Sequence, residues 1–249
     1  MAVPGIGDER GAHMTAIGIV AVLGAMAAVL AWLHRANARD REALSARLGL
    51  AAVPRTPATR GVHPVMGPCF ETPLLRGTLD GLDATVLQRT VKRRGLRNPN
   101  ASAAFVVLRL RVPATTPALR VEPRRTGVML ASLGDEGAPE VATGDAAFDA
   151  AFLATAPDAR AARAFLDDAV RARLLGLREA LAPGLPDSAI GRFAGDLRVG
   201  TLELVDGWLD YAAPGTVTPG LVEHLAVAAP VATALARRAG TTLPDGVAG

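Results

Sequence analysis

The chain is nearly bare of cysteine, lysine and aromatic side chains. One cysteine, Cys69, among 249 residues excludes an internal disulfide framework and any all-cysteine metal site. It is compatible with a reducing compartment. Aromatic residues make up 4% of the chain, too few for a surface that stacks nucleic-acid bases. Lys92 is the only lysine. The remaining basic residues are arginine, a bias that reflects genomic base composition and does not mark nucleic-acid binding. The motifs of the phosphate loop, the dinucleotide glycine turn, His-Glu-x-x-His and Gly-x-Ser-x-Gly are all missing, so none of the chemistries they carry is indicated. Nothing calls for a cofactor or a metal. The net charge of +3 is mild, and the isoelectric point near 9.9 follows from how high arginine titrates.

Half of the residues are apolar, which is ample for a packed core. The longest charge-free run is 15–33, within TAIGIVAVLGAMAAVLAWLH. Nineteen residues at about 1.5 Å each approach the ~30 Å hydrocarbon thickness of a bilayer. The run has no polar stripe, and Trp32 falls in its last turn, where an interfacial aromatic belongs. A cleaved export signal is the rival reading. It would want a basic start, yet Asp8 and Glu9 accompany Arg10, and the run exceeds the usual signal core. The expectation is a single transmembrane helix. Arg35, Arg39, Arg41 and Arg47 follow it against Asp40 and Glu42, which places the C-terminal side in the cytoplasm of a bacterial inner membrane. Met14 offers an alternative start.

The remainder divides by composition and period. Residues 1–14 read as a short tail and 34–50 as a juxtamembrane helix. Residues 51–69, with Pro54, Pro57, Pro64 and Pro68, read as a linker. Residues 70–243 read as a soluble domain and 244–249 as a tail. From residue 70 the hydrophobic period is two. Asp80-Gly81 and Asp206-Gly207 predict hairpin turns, because both central positions of a type I′ turn need positive φ. In AAFVVLRLRVP, Val106, Leu108, Leu110 and Val112 face one way and Arg109 and Arg111 the other. ALRVEP and GVMLASL read as shorter strands. After Asp158 the period becomes helical, with Asp158 and Asp167 as N-caps. Thr218-Pro219 starts a last helix that runs to Arg238, with Pro230 predicted to kink it. The expected fold is α+β: an N-terminal transmembrane helix followed by an antiparallel sheet of five to seven strands packed against two or three helices.

The block GDAAFDAAFLATAPDARAARAFL at 144–166 offers Asp145, Asp149 and Asp158 as metal ligands, or two as helix caps and one as a solvated residue. The second reading is preferred, since no histidine or second cluster joins them. Phe148 and Phe152, four apart, share one helix face. Asp145, Phe148, Asp149, Phe152, Ala162, Arg163, Phe165 and Leu166 form a pattern that resembles an uncharacterised class of bacterial membrane-anchored proteins. That resemblance implies a tethered domain of unknown function and supplies no catalytic residue.

The densest basic stretch, RTVKRRGLRNPN, is read as an inter-strand loop. Its Arg89, Lys92, Arg93, Arg94 and Arg97 are the candidate contacts to lipid headgroups or an acidic partner. Cys69 and His63 lie six apart among prolines, without a third group to orient a nucleophile. The functional expectation is a non-catalytic interaction or scaffold module at the cytoplasmic face. Its partners would be the lipid bilayer and another membrane-associated protein, with no nucleic acid. The alternative is a membrane-tethered enzyme, such as a hydrolase, without a recognisable motif.

Overall fold

A computed structural model describes Met26 and residues 35–54, 56–63, 67–92, 102–124, 138–182 and 199–241. Two local turns organise its sheet. Asp80 and Gly81 have φ of 50° and 83°, and Asp206 and Gly207 have φ of 50° and 76°. Each pair supplies the two left-handed residues of a tight hairpin. The first joins β3 (Gly67–Leu79) to β4 (Leu82–Lys92), and the second joins β8 (Thr201–Val205) to β9 (Trp208–Pro214).

The other strands are β1 (Ala51–Ala52), β2 (Thr59–His63), β5 (Ser102–Arg111), β6 (Leu119–Pro123) and β7 (Phe152–Thr155). All pairings among them are antiparallel, in the order β1-β3-β4-β5-β9-β8-β6-β7, with β2 also on β3. The β3–β4 register shifts between Pro73 and Leu75. A proline cannot donate to a ladder, and a bulge accommodates that defect. At the bulge the carbonyl of Leu74 accepts the Val53 N–H at 2.9 Å and the Arg41 Nη2 at 3.0 Å.

Five helices accompany the sheet among the described residues. They are α1 at 35–48, α2 (Ala146–Ala151), α3 (Ala159–Phe165), α4 (Asp168–Ala180) and α5 (Pro219–Thr241). Each short helix is started by an aspartate whose carboxylate accepts backbone N–H groups of the first turn: Asp145 for α2, Asp158 for α3 and Asp167 for α4. Thr218 Oγ accepts from Leu221 N at 3.3 Å at the start of α5. The roles expected of Asp145 and Asp158 are therefore the observed ones. Asp149 accepts from Thr143 N, Thr143 Oγ and Gly144 N, which folds the 143–149 segment on itself. Phe148 and Phe152 stack with centroids 5.1 Å apart.

The core lies between the helices and one face of the sheet. Val86, Val106, Leu108, Leu110, Leu202, Leu204, Leu209 and Tyr211 point into it, with Leu44 from α1, Leu174 from α4 and Leu225 from α5. α5 packs on β5, β9 and α4.

Three expectations are corrected. The sequence put the membrane-length helix at the N-terminus. Among the described residues the helix long and apolar enough to cross a membrane is α5, at the opposite end, with half of its apolar window buried inside the domain. Residues 15–33 lie outside the described residues apart from Met26, which is helical. The fold is thus α+β with its apolar helix C-terminal. Glu223, His224, Pro230 and the two terminal arginines disguised that helix in the sequence.

Secondly, the segment read as a linker carries β1 and β2, and α1 buries Leu44 and Leu48 in the core. The domain begins well before residue 70, because Pro and Gly at strand edges mimic linker composition. Thirdly, the described sheet has nine strands rather than five to seven. The strand expected at GVMLASL lies outside the described residues, as do the tails at 1–14 and 244–249.

Candidate functional site

Strand alternation gives the sheet a second face, away from α5. The register carries Arg109 of β5, Asp210 of β9, Glu203 of β8 and Arg120 of β6 straight across four neighbouring strands. Two rows along the same face, Glu71 of β3 is opposite Arg89 of β4, with the Leu87–Val107–Ala212 row between. Side chains in register on successive strands are about 5 Å apart, and the long guanidinium arms reach across the intervening row.

They do so with short geometry. Arg109 grips Asp210 with two bonds, Nε to Oδ1 and Nη2 to Oδ2, both 2.8 Å. Arg89 Nη2 donates to Asp210 Oδ2 at 2.7 Å, and its Nε donates to Glu71 Oε1 at 2.7 Å. Glu71 also accepts from Arg109 Nη1 at 3.2 Å. Each carboxylate therefore bridges both guanidiniums. Further along the row, Arg120 pairs with Glu122 at 2.8 Å and lies 3.4 Å from Glu203.

Arg89 and Asp210 are each 1% exposed, whereas Arg109 is 23% and Glu71 24%. The closed quartet thus runs from a buried pair to a half-open pair. Burial by itself would raise the Asp210 pKa. Hydrogen bonds and charge from Arg109, and then from Arg89, outweigh it and hold the carboxyl below its ordinary range. Burial opposes the charged form of Arg109 as well, but Asp210 and then Glu71 keep it firmly protonated. Arg89 Nη1 is buried without a hydrogen-bond partner among the described residues.

Between the two rows of the quartet the face is apolar, and past Arg109 it opens. Leu87, Val107 and Ala212 form a second buried cluster with Phe105 beside it. At the other end the half-buried Trp208 has the Arg111 guanidinium 4.6 Å and the Arg109 guanidinium 5.7 Å from its ring centroid. A cation over the indole face is attracted by the ring quadrupole. Arg111 is exposed and makes no ion pair among the described residues.

The sequence-predicted contact set fares differently. Arg89 is corrected: it is in mid-strand, buried and neutralised by two carboxylates, and cannot reach a headgroup. Its parity on β4 put it on the sheet face rather than in the loop. Lys92 is the last residue of β4. Arg93, Arg94 and Arg97 lie outside the described residues. Trp208, Asp210 and Glu71 were not singled out. The signal that could have found them is a charged or aromatic residue at each position that alternates with the core-facing ones, as in LRLR and WLDY.

A separate polar contact ties α5 to the sheet. Tyr211 is buried, its hydroxyl 2.8 Å from His224 Nε2 and accepting the Gly200 N–H at 3.0 Å. The phenol and the imidazole thus share one hydrogen bond, with the proton's position set by the histidine tautomer. Burial pushes the His224 pKa down to about 4. A histidine held neutral in the fold binds fewer protons than its unfolded counterpart between pH ~6.5 and ~4. Stability should therefore fall as pH drops through that window, by on the order of 2–3 kcal/mol. Urea titrations from pH 7 to 4 should show this slope in the wild type and lose it in His224→Gln. An unchanged slope in the variant would assign the effect elsewhere. Cys69 is buried on β3, and the side chain of His63 lies outside the described ones.

No protein-family model matches the chain, and no curated protein matches it. Among solved structures it is similar to the mycobacterial trehalose monomycolate transport factor A, TtfA, at 14% sequence identity and a TM-score of 0.44. That similarity spans 86% of this chain and 99% of the other. At such identity and score nothing about activity or partners follows from it.

Proposed function

We propose that this protein is a non-catalytic interaction module that works beside the inner membrane on its cytoplasmic side. Its contact surface is the open end of the far sheet face, and its partner is an acidic segment of a membrane-associated protein. The observation that carries this reading is the Arg111–Trp208–Arg109 stack. Tryptophan and arginine are the residue types that most often dominate interface energies. Here the stack is rigid because both residues sit in paired strands, and Arg111 has a guanidinium free for a partner's carboxylate. Support for the location is in the sequence, in the arginine excess that follows residue 34.

The quartet behind the stack holds the surface in one geometry. Its carboxylates are already consumed by arginines, which suits positioning rather than proton transfer.

The reading predicts a specific pull-down result. The full chain, cross-linked in cells and purified from membranes, should retain a defined protein. Arg111→Glu and Trp208→Ala should each reduce its recovery by about tenfold or more, the scale of an interface hot spot. Arg60→Glu, an exposed change on β2, should have no effect. Equal recovery by all three, with melting temperatures alike, would remove this surface as the contact. Recovery of the chain in the soluble fraction alone would remove the location.

A further inference from the structure

A cleft of about 360 Å³ is lined by α3, the last turn of α5 and the segments before α3 and β6. This volume is within the range of small-ligand sites. Its apolar walls are Ala118, Ala161, Ala164 and Ala239, with Phe165 and the two prolines Pro117 and Pro157. Alanines leave a smooth, unbranched slot. Asp158 is the one charged side chain that lines it, with Thr115 as the polar neighbour.

The Asp158 carboxylate is the charged group of the slot. Asp158 Oδ1 accepts both capping N–H groups of α3, from Arg160 at 2.9 Å and Ala161 at 3.0 Å. Its second oxygen accepts nothing among the described residues and is exposed. Ala239 belongs to the last turn of α5, a helix of 23 residues. The two arginines in that turn are occupied: Arg238 pairs with Asp167, and Arg237 donates to the Asp80 carbonyl. Apolar walls therefore end in a carboxylate.

We infer that this cleft binds a small amphiphile: an unbranched aliphatic chain lying along the alanine walls, with a cationic head on the free oxygen of Asp158. Neither the far sheet face nor its partner takes part, so this site stands or falls separately from the interaction surface proposed above.

Three ten-carbon probes of equal length test it on the full chain: decylammonium, decanol and decanoate, each below its micelle concentration. Binding is followed by calorimetry and by the alanine methyl resonances. Decylammonium should saturate the site and bind about fivefold or more tighter than decanoate, the scale of one exposed charge pair gained in place of one opposed. Asp158→Asn keeps a good helix cap and should bring the two affinities together. Ala164→Leu, at an exposed helix position, should weaken all three probes by filling the slot. Saturable decanoate binding as tight as that of decylammonium would overturn the assignment of charge. Absence of saturable binding by decylammonium, or binding untouched by Ala164→Leu, would overturn the site itself.

Discussion

Replacing Asp210 by alanine should cost the domain about 3–5 kcal/mol, the range for removing one partner of a buried ion pair. The carboxylate receives three hydrogen bonds from two guanidiniums at 2.7–2.8 Å. Without it, Arg89 and Arg109 share Glu71 alone, and Arg89 remains buried as an under-compensated cation. Desolvation of a charge is what makes the loss large; the same pair on an exposed surface would contribute roughly 0–1 kcal/mol. Urea denaturation of Asp210→Ala measures it, and Asp210→Ala combined with Arg109→Met should recover part of the loss because Glu71 is then left to the buried Arg89 alone. A loss under about 1 kcal/mol would mean that solvent reaches the quartet. Acid should act in the same direction. The depressed Asp210 pKa contributes stability that is present above the ordinary carboxylate range and lost as pH falls through its lower folded value. The His224 slope starts higher, below about pH 6.5, and fades as pH falls through its folded value of about 4.

Gly200→Ala should be nearly as damaging, at about 3 kcal/mol, the upper part of the overpacking range. A methyl group at this position would sit 2.7 Å from the Ala212 carbonyl oxygen and 2.7 Å from Tyr211 Cζ. Neither neighbour can retreat. Ala212 is in the central part of β9, paired to both β5 and β8, and the Tyr211 ring is locked by its hydroxyl bonds to Gly200 and His224. The substitution also pushes away the N–H that the buried hydroxyl accepts. Trimming the ring in Gly200→Ala/Tyr211→Leu should return only part of the stability, since the carbonyl clash persists. If Gly200→Ala melted within a degree or two of wild type, the backbone before β8 would have to be free to shift.

Legibility followed sequence distance. The Asp-Gly turns, the alternation of β5, the three aspartate caps and the Phe148–Phe152 pair involve residues at most four apart, and each was readable. The helix from Thr218 was readable too, but not its place as the core helix against β5 and β9. The candidate site was misread at Arg89. An arginine beside Lys92, Arg93 and Arg94 looks like part of a solvated basic loop. Its partner Asp210 is 121 residues away, and nothing near Arg89 announces it.

By itself, then, the sequence determined the α+β class, the hairpins and caps, and the alternation that gives β5 one apolar and one arginine-bearing side. These follow from backbone preferences and side-chain periods that act within a turn or a strand. Only the tertiary structure decided that β3, β4, β5 and β9 lie side by side, so that two arginines and two acids neutralise each other. It also decided that the membrane-length helix among the described residues is the C-terminal one, half buried against the sheet. Both outcomes depend on which distant surfaces are removed from water together. Burial of that kind is a property of the assembled layers and is not encoded in any single stretch of chain.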